Sequence, residues 1–391
     1  MISITRLIGG SQHFGDTLRY SEDARSHPHG TGRGRGPVVV WNCTRRCNLR
    51  CLHCYSNSKD RSYSGEMSTV EALRFIDDLA AFKVPVILFS GGEPLLRGDL
   101  AELAAHASRH GIRPTVSSNG TLLEKSMIEK LTNAGTSYIG VSLDGLEETN
   151  DRFRGKRGAF AAALRGIRKC LELGQRVGLR FTINKHNYKE VSAIFDLVEE
   201  ENIPRVCFYH LVYTGRGGKM KEEDIRREET RAVMDLILER TYDFCRRGLE
   251  KEVLTVDNHA DGVYTYLWLK KNLPSRAEEA LALLKLNGGN RSGMAIGAVD
   301  WYGNVHPDQF TQNYTLGNVK EKSFGSIWTD TSHPIMAGLK NRRPLLKGRC
   351  AACRWLDICN GNFRARAEAV TGDFWESDPA CYLTDEEIGL A

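Results

Sequence analysis

Across its 391 residues the chain has no apolar run close to the roughly 20 residues that a membrane-spanning helix requires, which excludes a helical membrane anchor. Residues 1–10 interrupt a short apolar stretch with Arg6 and lack a secretory cleavage pattern, so a cytoplasmic location is expected. There is also no charge excess of the kind that marks nucleic-acid partners. The net charge of +5 is mild and suits an anionic small molecule better. Internal repeats are absent, and the one low-complexity segment is the Gly/Arg-rich run at 30–37. Apolar and charged contents of 41% and 26% are ordinary for a soluble globular chain, long enough for one large domain and a smaller one.

From residue 38, apolar runs at 38–41, 84–89, 113–117, 138–143, 177–184 and 206–212 alternate with helical patterns at 69–82, 100–110, 125–134, 160–173 and 188–201. Six strands alternating with helices predict an α/β fold with a parallel sheet. Six units fit a partial (β/α)6 TIM-like barrel, whose chemistry belongs at the C-terminal ends of the strands. Polar clusters stand at those ends: a cysteine loop, then Ser90-Gly91-Gly92-Glu93-Pro94, Ser117-Ser118-Asn119-Gly120-Thr121, Ser142-Leu143-Asp144-Gly145 and Asn184-Lys185-His186-Asn187. Each alone consists of ordinary turn residues; together they form one hydrogen-bonding rim. The predicted organisation is an N-terminal arm with a flexible basic linker (1–37), the partial barrel (38–215), a helical connection (216–293) and a C-terminal extension (294–391). That extension opens with a hairpin turned at Gly303-Asn304.

Eight of the eleven cysteines fall in two clumps, which in a chain without an export signal points to metal rather than disulfides. Cys170, Cys207 and Cys245 are scattered and read as small buried hydrophobes. In the first clump Cys47, Cys51 and Cys54 are spaced C-x3-C-x2-C, and no fourth cysteine follows at matching spacing. Three thiolates on one loop can hold three irons of a [4Fe–4S] cube and leave one iron open for chemistry. Zinc is the alternative, with Cys43 as the local fourth ligand. Cys43 otherwise reads as a packed strand-end residue, with a ligand or redox role as its second reading. An open iron needs a chelating ligand, which an amino acid's amine and carboxylate would supply. The glycines of Gly91-Gly92-Glu93 let backbone approach such a ligand, and a carboxylate can accept from its ammonium.

With that order and strand context, Cys47, Cys51, Cys54 and Gly91-Gly92-Glu93-Pro94 make the chain resemble the radical S-adenosylmethionine (SAM) enzymes. The resemblance implies a cluster that reduces the bound sulfonium, a 5′-deoxyadenosyl radical, and hydrogen abstraction from a substrate. It implies that Cys47, Cys51 and Cys54 ligate the cluster, that His53 packs near the adenine, and that Gly91, Gly92 and Glu93 meet the methionine amino group. It offers Ser118, Asn119, Ser142 and Asp144 for the ribose and carboxylate. Arg154 is placed at the methionine carboxylate, or else on the surface. A low-potential donor such as ferredoxin or flavodoxin is implied as a partner.

The second clump, Cys350, Cys353, Cys359 and, after a gap of 21 residues, Cys381, is a complete four-ligand set. It leaves no iron open, so electron transfer or structure is its expected role, with a zinc ribbon as the alternative. It resembles the SPASM extension of radical SAM enzymes. A full extension holds two auxiliary clusters, but here Phe363 and Asp308 stand where cysteines are usual, so a single auxiliary [4Fe–4S] cluster is expected.

Residues 256–262, 303–310 and 363–373 are similar to the tetrapyrrole branch of the family. The start Met1-Ile2-Ser3-Ile4-Thr5-Arg6 and the Val256-Asp257-Asn258-His259-Ala260-Asp261 segment favour its didecarboxysiroheme deacetylases over its haem d1 enzymes. The resemblance implies an anionic iron tetrapyrrole substrate and removal of two acetate side chains, whereas the haem d1 enzymes act on propionates. A peptide-modifying maturase and a two-zinc binding protein are the other readings. Arginines would clamp the carboxylates, and Arg33, Arg35, Arg216, Arg291, Arg364 and Arg366 lie in Gly-rich or tail segments that could reach a pocket. Each also reads as a solvated surface charge. His259, then His27, His29 and His306, are candidate axial ligands of the substrate iron, against a reading as ordinary packed or exposed histidines.

Overall fold

The computed structural model describes residues 1–21 and 27–390. Its strands are β1 (Ile2–Ser3), β2 (Val38–Thr44), β3 (Val86–Gly91), β4 (Arg113–Ser118), β5 (Tyr138–Ser142), β6 (Val177–Ile183), β7 (Arg205–His210), β8 (Glu252–Val256), β9 (Ile296–Val299), β10 (Asn304–His306) and β11 (Gly317–Asn318). All belong to one sheet in the order β1-β8-β7-β6-β5-β4-β3-β2-β9-β10-β11. The strands from β2 to β8 are parallel in sequence order, as right-handed strand–helix–strand units produce. This is the partial barrel, with its outer face under helices. Phe208 of β7, for example, stacks on Phe195 at 5.2 Å and meets Phe181 of β6 edge-on at 5.9 Å.

Three boundaries differ from expectation. A seventh parallel strand, β8, lies inside the stretch expected to be helical; it is only five residues long and follows the 20-residue helix Arg227–Arg246. The first residues are not a loose arm: β1 pairs with β8, and the helix Ile4–Gly9 buries Ile4, Leu7 and Ile8 in the core. The run at 30–37 is a packed turn rather than a flexible linker. Thr31 and Arg35 close it through hydrogen bonds to Gly36 and Gly32, and Arg291 and Trp328 donate to the carbonyls of His27, Gly30 and His29 beneath it. The extension also shares the barrel's sheet, because β9 runs parallel to β2. Its hairpin β9–β10 turns through residues 300–303, where the Asp300 carboxylate accepts from the amides of Tyr302 and Asn304, one step before the expected Gly-Asn corner.

Candidate active site

The cysteine loop leaves the C-terminal end of β2 and lies across the end of β3. Its backbone is bolted there: Gly92 donates to the Thr44 carbonyl at 2.7 Å and Glu93 to the Arg46 carbonyl at 2.8 Å. A Cβ at Gly91, where φ is +121°, would stand 2.3 Å from the Thr44 oxygen, and one at Gly92 2.1 Å from the Arg46 oxygen. The two glycines therefore admit the loop's own backbone, a role the sequence reading gave to a ligand. Arg216 braces the loop from the far side, donating to the carbonyls of Cys51 and Ser58, each at 2.8 Å. We expect Gly92→Ala to lift this loop and halve or worse the iron retained by the first cluster, measured as iron per chain after anaerobic reconstitution.

Donors point at the sulfurs. Leu49 N lies 3.4 Å and Asn119 Nδ2 3.9 Å from Cys47 Sγ, and Arg154 Nη1 lies 3.5 Å from Cys51 Sγ. Burial pushes the Cys47 thiol up to about 12 and raises that of Cys51, so bare thiolates are disfavoured there. Thiols that need a cationic partner, ringed by N–H donors, fit an iron–sulfur cluster. Cys43 stands apart: it is fully buried within β2, with its thiol on the Ser90 carbonyl at 3.5 Å.

Several residues expected to touch SAM are engaged with one another. Glu93 is fully buried, and its carboxylate accepts from Leu95 N, Ser118 Oγ and Asn119 N at 3.1, 2.9 and 2.7 Å, tying β3 to β4. Burial pushes it up to about 7. It braces β3 to β4. Asp144 and Arg154 form a buried ion pair, and Asp144 also accepts from Thr182 N at 2.8 Å. This pair supports Cys51 from below, which corrects both the ribose or carboxylate role for Asp144 and the surface reading of Arg154. Ser118 is taken by Glu93. Asn119 reaches Asn48 in the cysteine loop at 2.8 Å. Ser142, part-exposed at the end of β5, is the member of the set left open towards the barrel. His53 stacks on Phe153 at 4.8 Å, and burial lowers its pKa to about 4, so its imidazole is neutral. Its Nδ1 is buried without a partner.

The inner wall of the barrel carries residues that the sequence reading missed. Tyr55 bonds Asn42 and Ser90 at 2.8 and 3.0 Å, while Arg180 of β6 and Tyr209 of β7 face the interior, both part-exposed. A charged residue within the apolar strand Val177–Ile183, at alternating positions with Leu179 and Phe181, was the available signal. None of the six arginines named from sequence lines this wall with a free guanidinium. Arg364 and Arg366 are buried, the first on the carbonyls of Gly361, Phe374 and Glu376 and the second on Asp378. Arg291 bonds carbonyls of the turn under β2, and Arg33 and Arg35 are exposed on that turn, near the opposite end of the strands.

The tail meets the barrel at the segment following β8. Asn258 donates to the Ala380 carbonyl, His259 N to Asn362, and Tyr382 to Asp261, which also pairs with His210 at the end of β7. The tail's four thiols lie together. Burial is the first cause raising Cys359 well above its ordinary value, and Cys350, Cys381 and Cys353 follow as neighbouring negative charges. That donor set fits a closed cluster. The positions where further cysteines were weighed are filled otherwise: Phe363 packs on Phe310 at 5.6 Å, and Asp308 accepts from the amides of Phe310 and Thr311. His259 is buried with Nδ1 unpartnered and neutral. His306 is held by the Tyr314 carbonyl at 2.9 Å, while His29 meets Lys340 at 2.8 Å away from the rim. His27 lies on the same turn as His29.

Comparison with known proteins agrees with this geometry. Residues 41–227 match the radical SAM superfamily, and residues 294–354 match an iron–sulfur cluster-binding domain of the SPASM type. The chain is 58% identical to the Fe-coproporphyrin III synthase of Methanosarcina barkeri, over 100% of this chain and 99% of that one. It is 42% identical to the pre-heme d1 synthase of Dinoroseobacter shibae, over 96% and 94%. Among solved structures, Streptococcus suis SuiB bound to S-adenosylmethionine shares the fold, with a TM-score of 0.71 and 19% identity over 93% of this chain and 81% of that one.

Proposed function

The chain belongs to the radical SAM superfamily, and from that premise we propose that it removes the two acetate side chains of 12,18-didecarboxysiroheme to give iron-coproporphyrin III in haem biosynthesis. The observation that carries this reading is the 58% identity to an Fe-coproporphyrin III synthase, sustained over nearly the whole of both chains. When bound, the cluster and SAM supply a strongly reducing electron and the 5′-deoxyadenosyl radical that takes hydrogen from the substrate.

The chain's own residues do the holding and shaping. Cys47, Cys51 and Cys54 would hold the SAM-binding cluster, and Asn119 and Arg154 direct N–H groups at the sulfurs of Cys47 and Cys51, which favours their anionic form. His53, neutral and stacked on Phe153, offers a flat wall for an adenine. With the other backbone groups of the Gly91-Gly92-Glu93 turn engaged, the Gly92 carbonyl and Ser142 are the groups of this set left to meet the methionine and ribose ends of SAM. Cys350, Cys353, Cys359 and Cys381 would hold the auxiliary cluster, and the segment 256–261 joins this tail to the barrel. His259, with a free ring nitrogen in its neutral form, is the candidate axial ligand for the substrate iron. A low-potential carrier such as ferredoxin or flavodoxin supplies electrons, in the cytoplasm.

The test is the ratio of products under strict anaerobiosis. Two side chains removed by two hydrogen abstractions should give two 5′-deoxyadenosines for each tetrapyrrole converted. Cleavage of SAM at a rate independent of added tetrapyrrole would contradict the reading.

A further inference from the structure

We propose that Arg180 anchors a carboxylate of the substrate deep on the inner wall of the barrel, in a donor-rich site completed by Tyr138, Tyr209 and Ser117. The inference rests on the tetrapyrrole reading above and deepens it.

Arg180 lies in the middle of β6 between Leu179 and Phe181, both fully buried on the helix-covered face, so its own side chain points into the barrel. The guanidinium crosses the neighbouring strand at Gly140, where a Cβ would stand 2.2 Å from Nε. A side chain at position 140 would block it. Beyond that glycine, Nη1 donates to Ser117 Oγ of β4 at 2.6 Å. Cζ lies 5.9 Å from the centre of the Tyr209 ring.

What singles out Arg180 is the lack of both a counter-charge and a cage of carbonyl oxygens. Elsewhere in the core the arginines are matched: Arg19 with Asp16 and Glu252, Arg154 with Asp144, Arg205 with Glu252, Arg366 with Asp378. Arg342 is surrounded instead by the oxygens of Asn290, Ser292, Leu339 and Asn360. Among the described residues no carboxylate pairs with Arg180, and its Nε is buried without a partner. Its acidic neighbours are Tyr209, Tyr138 and Cys207, and burial raises all three so that they stay neutral. A desolvated cation held beside neutral groups is costly unless an anion completes it.

The rest of the wall has the matching chemistry. The Tyr138 hydroxyl is buried beside the Arg180 and Arg205 guanidinium groups, which can only donate to it, so its own O–H has no acceptor there, and Tyr209 and Ser117 are part-exposed to the interior. Guanidinium and phenol N–H and O–H groups converge there; Asp257 acts on Tyr209 as a nearby charge, but among the described residues no carboxylate hydrogen-bonds to the group, which leaves its donors for planar recognition of a carboxylate. The proposed tetrapyrrole bears several carboxylates, and the loop arginines are exposed at the far end of the strands or consumed by carbonyls.

The experiment is an absorption titration of didecarboxysiroheme into SAM-loaded holoenzyme, wild type against Arg180→Gln and Arg180→Lys, with iron content and SAM affinity measured first. Loss of the buried charge partner should weaken tetrapyrrole binding roughly 30-fold or more in Arg180→Gln and raise KM more than it lowers kcat. Arg180→Lys should recover part of the loss, because it restores charge without the fork. Binding by Arg180→Gln within about twofold of wild type overturns the proposal. Should Arg180→Gln fail to take up its clusters, Tyr209→Phe replaces it, with an expected loss of roughly tenfold; no loss overturns the proposal equally. If wild type binds the tetrapyrrole through Arg180 but converts none of it, the anchor stands and the proposed reaction falls.

Discussion

Cys51→Ala protein should cleave no SAM above background and should carry about four fewer irons per chain than wild type, the content of one cube. Cys51 is the ligand with most of the structure invested in it. It receives an N–H from Arg154, which is itself fixed by the buried carboxylate of Asp144, and its carbonyl is held by Arg216. Removing its sulfur leaves two thiols on a loop that cannot supply a third, since Cys43 is turned away to Ser90. Cys43→Ala should therefore keep the iron and the cleavage activity, and equal losses in both variants would place Cys43 among the ligands. Cys359→Ala separates the two centres. It should lose a similar amount of iron, spare SAM cleavage and slow tetrapyrrole turnover; unaltered turnover would remove the auxiliary cluster from the mechanism.

The second large effect is on the joint between barrel and tail. Arg366 and Asp378 are both fully buried at the side chain and pair at 2.8 Å. Arg366 also donates to the Leu211 carbonyl just beyond β7, while Asp378 accepts from the amides of Phe363 and Ala380. Asp378 stands three residues before Cys381, so the same carboxylate that neutralises Arg366 sets the path of the last cluster ligand. Asp378→Ala leaves a guanidinium desolvated and unmatched, a change that costs about 3–5 kcal/mol. Chemical denaturation of the reconstituted protein should show this loss, together with lower iron at the second site and an intact first one. Asp378→Asn should lose most of the same stability, because it keeps the shape and removes the charge. Wild-type stability in both variants would mean that the tail is held by its cluster alone.

The order of legibility follows the range of the interactions. Cys47, Cys51 and Cys54 are set within eight residues, and their chemistry is written in their spacing. The same holds for the parallel strands, whose apolar runs are local. Strand β8 escaped because five residues after a long charged helix give little periodic signal, and it is fixed by partners on either side, β7 and β1. The glycines of Gly91-Gly92-Glu93 were legible as a close approach, but what approaches is the backbone of Thr44 and Arg46. Glu93, Asp144 and Arg154 were read as ligand contacts from their place on the rim. Their partners come from other strands and loops up to 103 residues away, and sequence cannot show which rim groups satisfy each other. The arginines went wrong for a related reason. Gly-rich surroundings suggested reach for Arg33, Arg35 and Arg291, whereas Arg180, inside an apolar strand, faces the barrel interior with neither a carboxylate nor a cage of carbonyls among the described residues.

The mass of the tetrapyrrole product tests the proposed deacetylation most directly. Reduced holoenzyme with SAM and 12,18-didecarboxysiroheme should yield iron-coproporphyrin III, with both acetate side chains gone and all propionates retained. A product that has lost propionates instead would move the chain to the reaction of the pre-heme d1 synthases, to which it is 42% identical. An unchanged tetrapyrrole beside accumulating 5′-deoxyadenosine would contradict a tetrapyrrole side-chain-removing activity altogether.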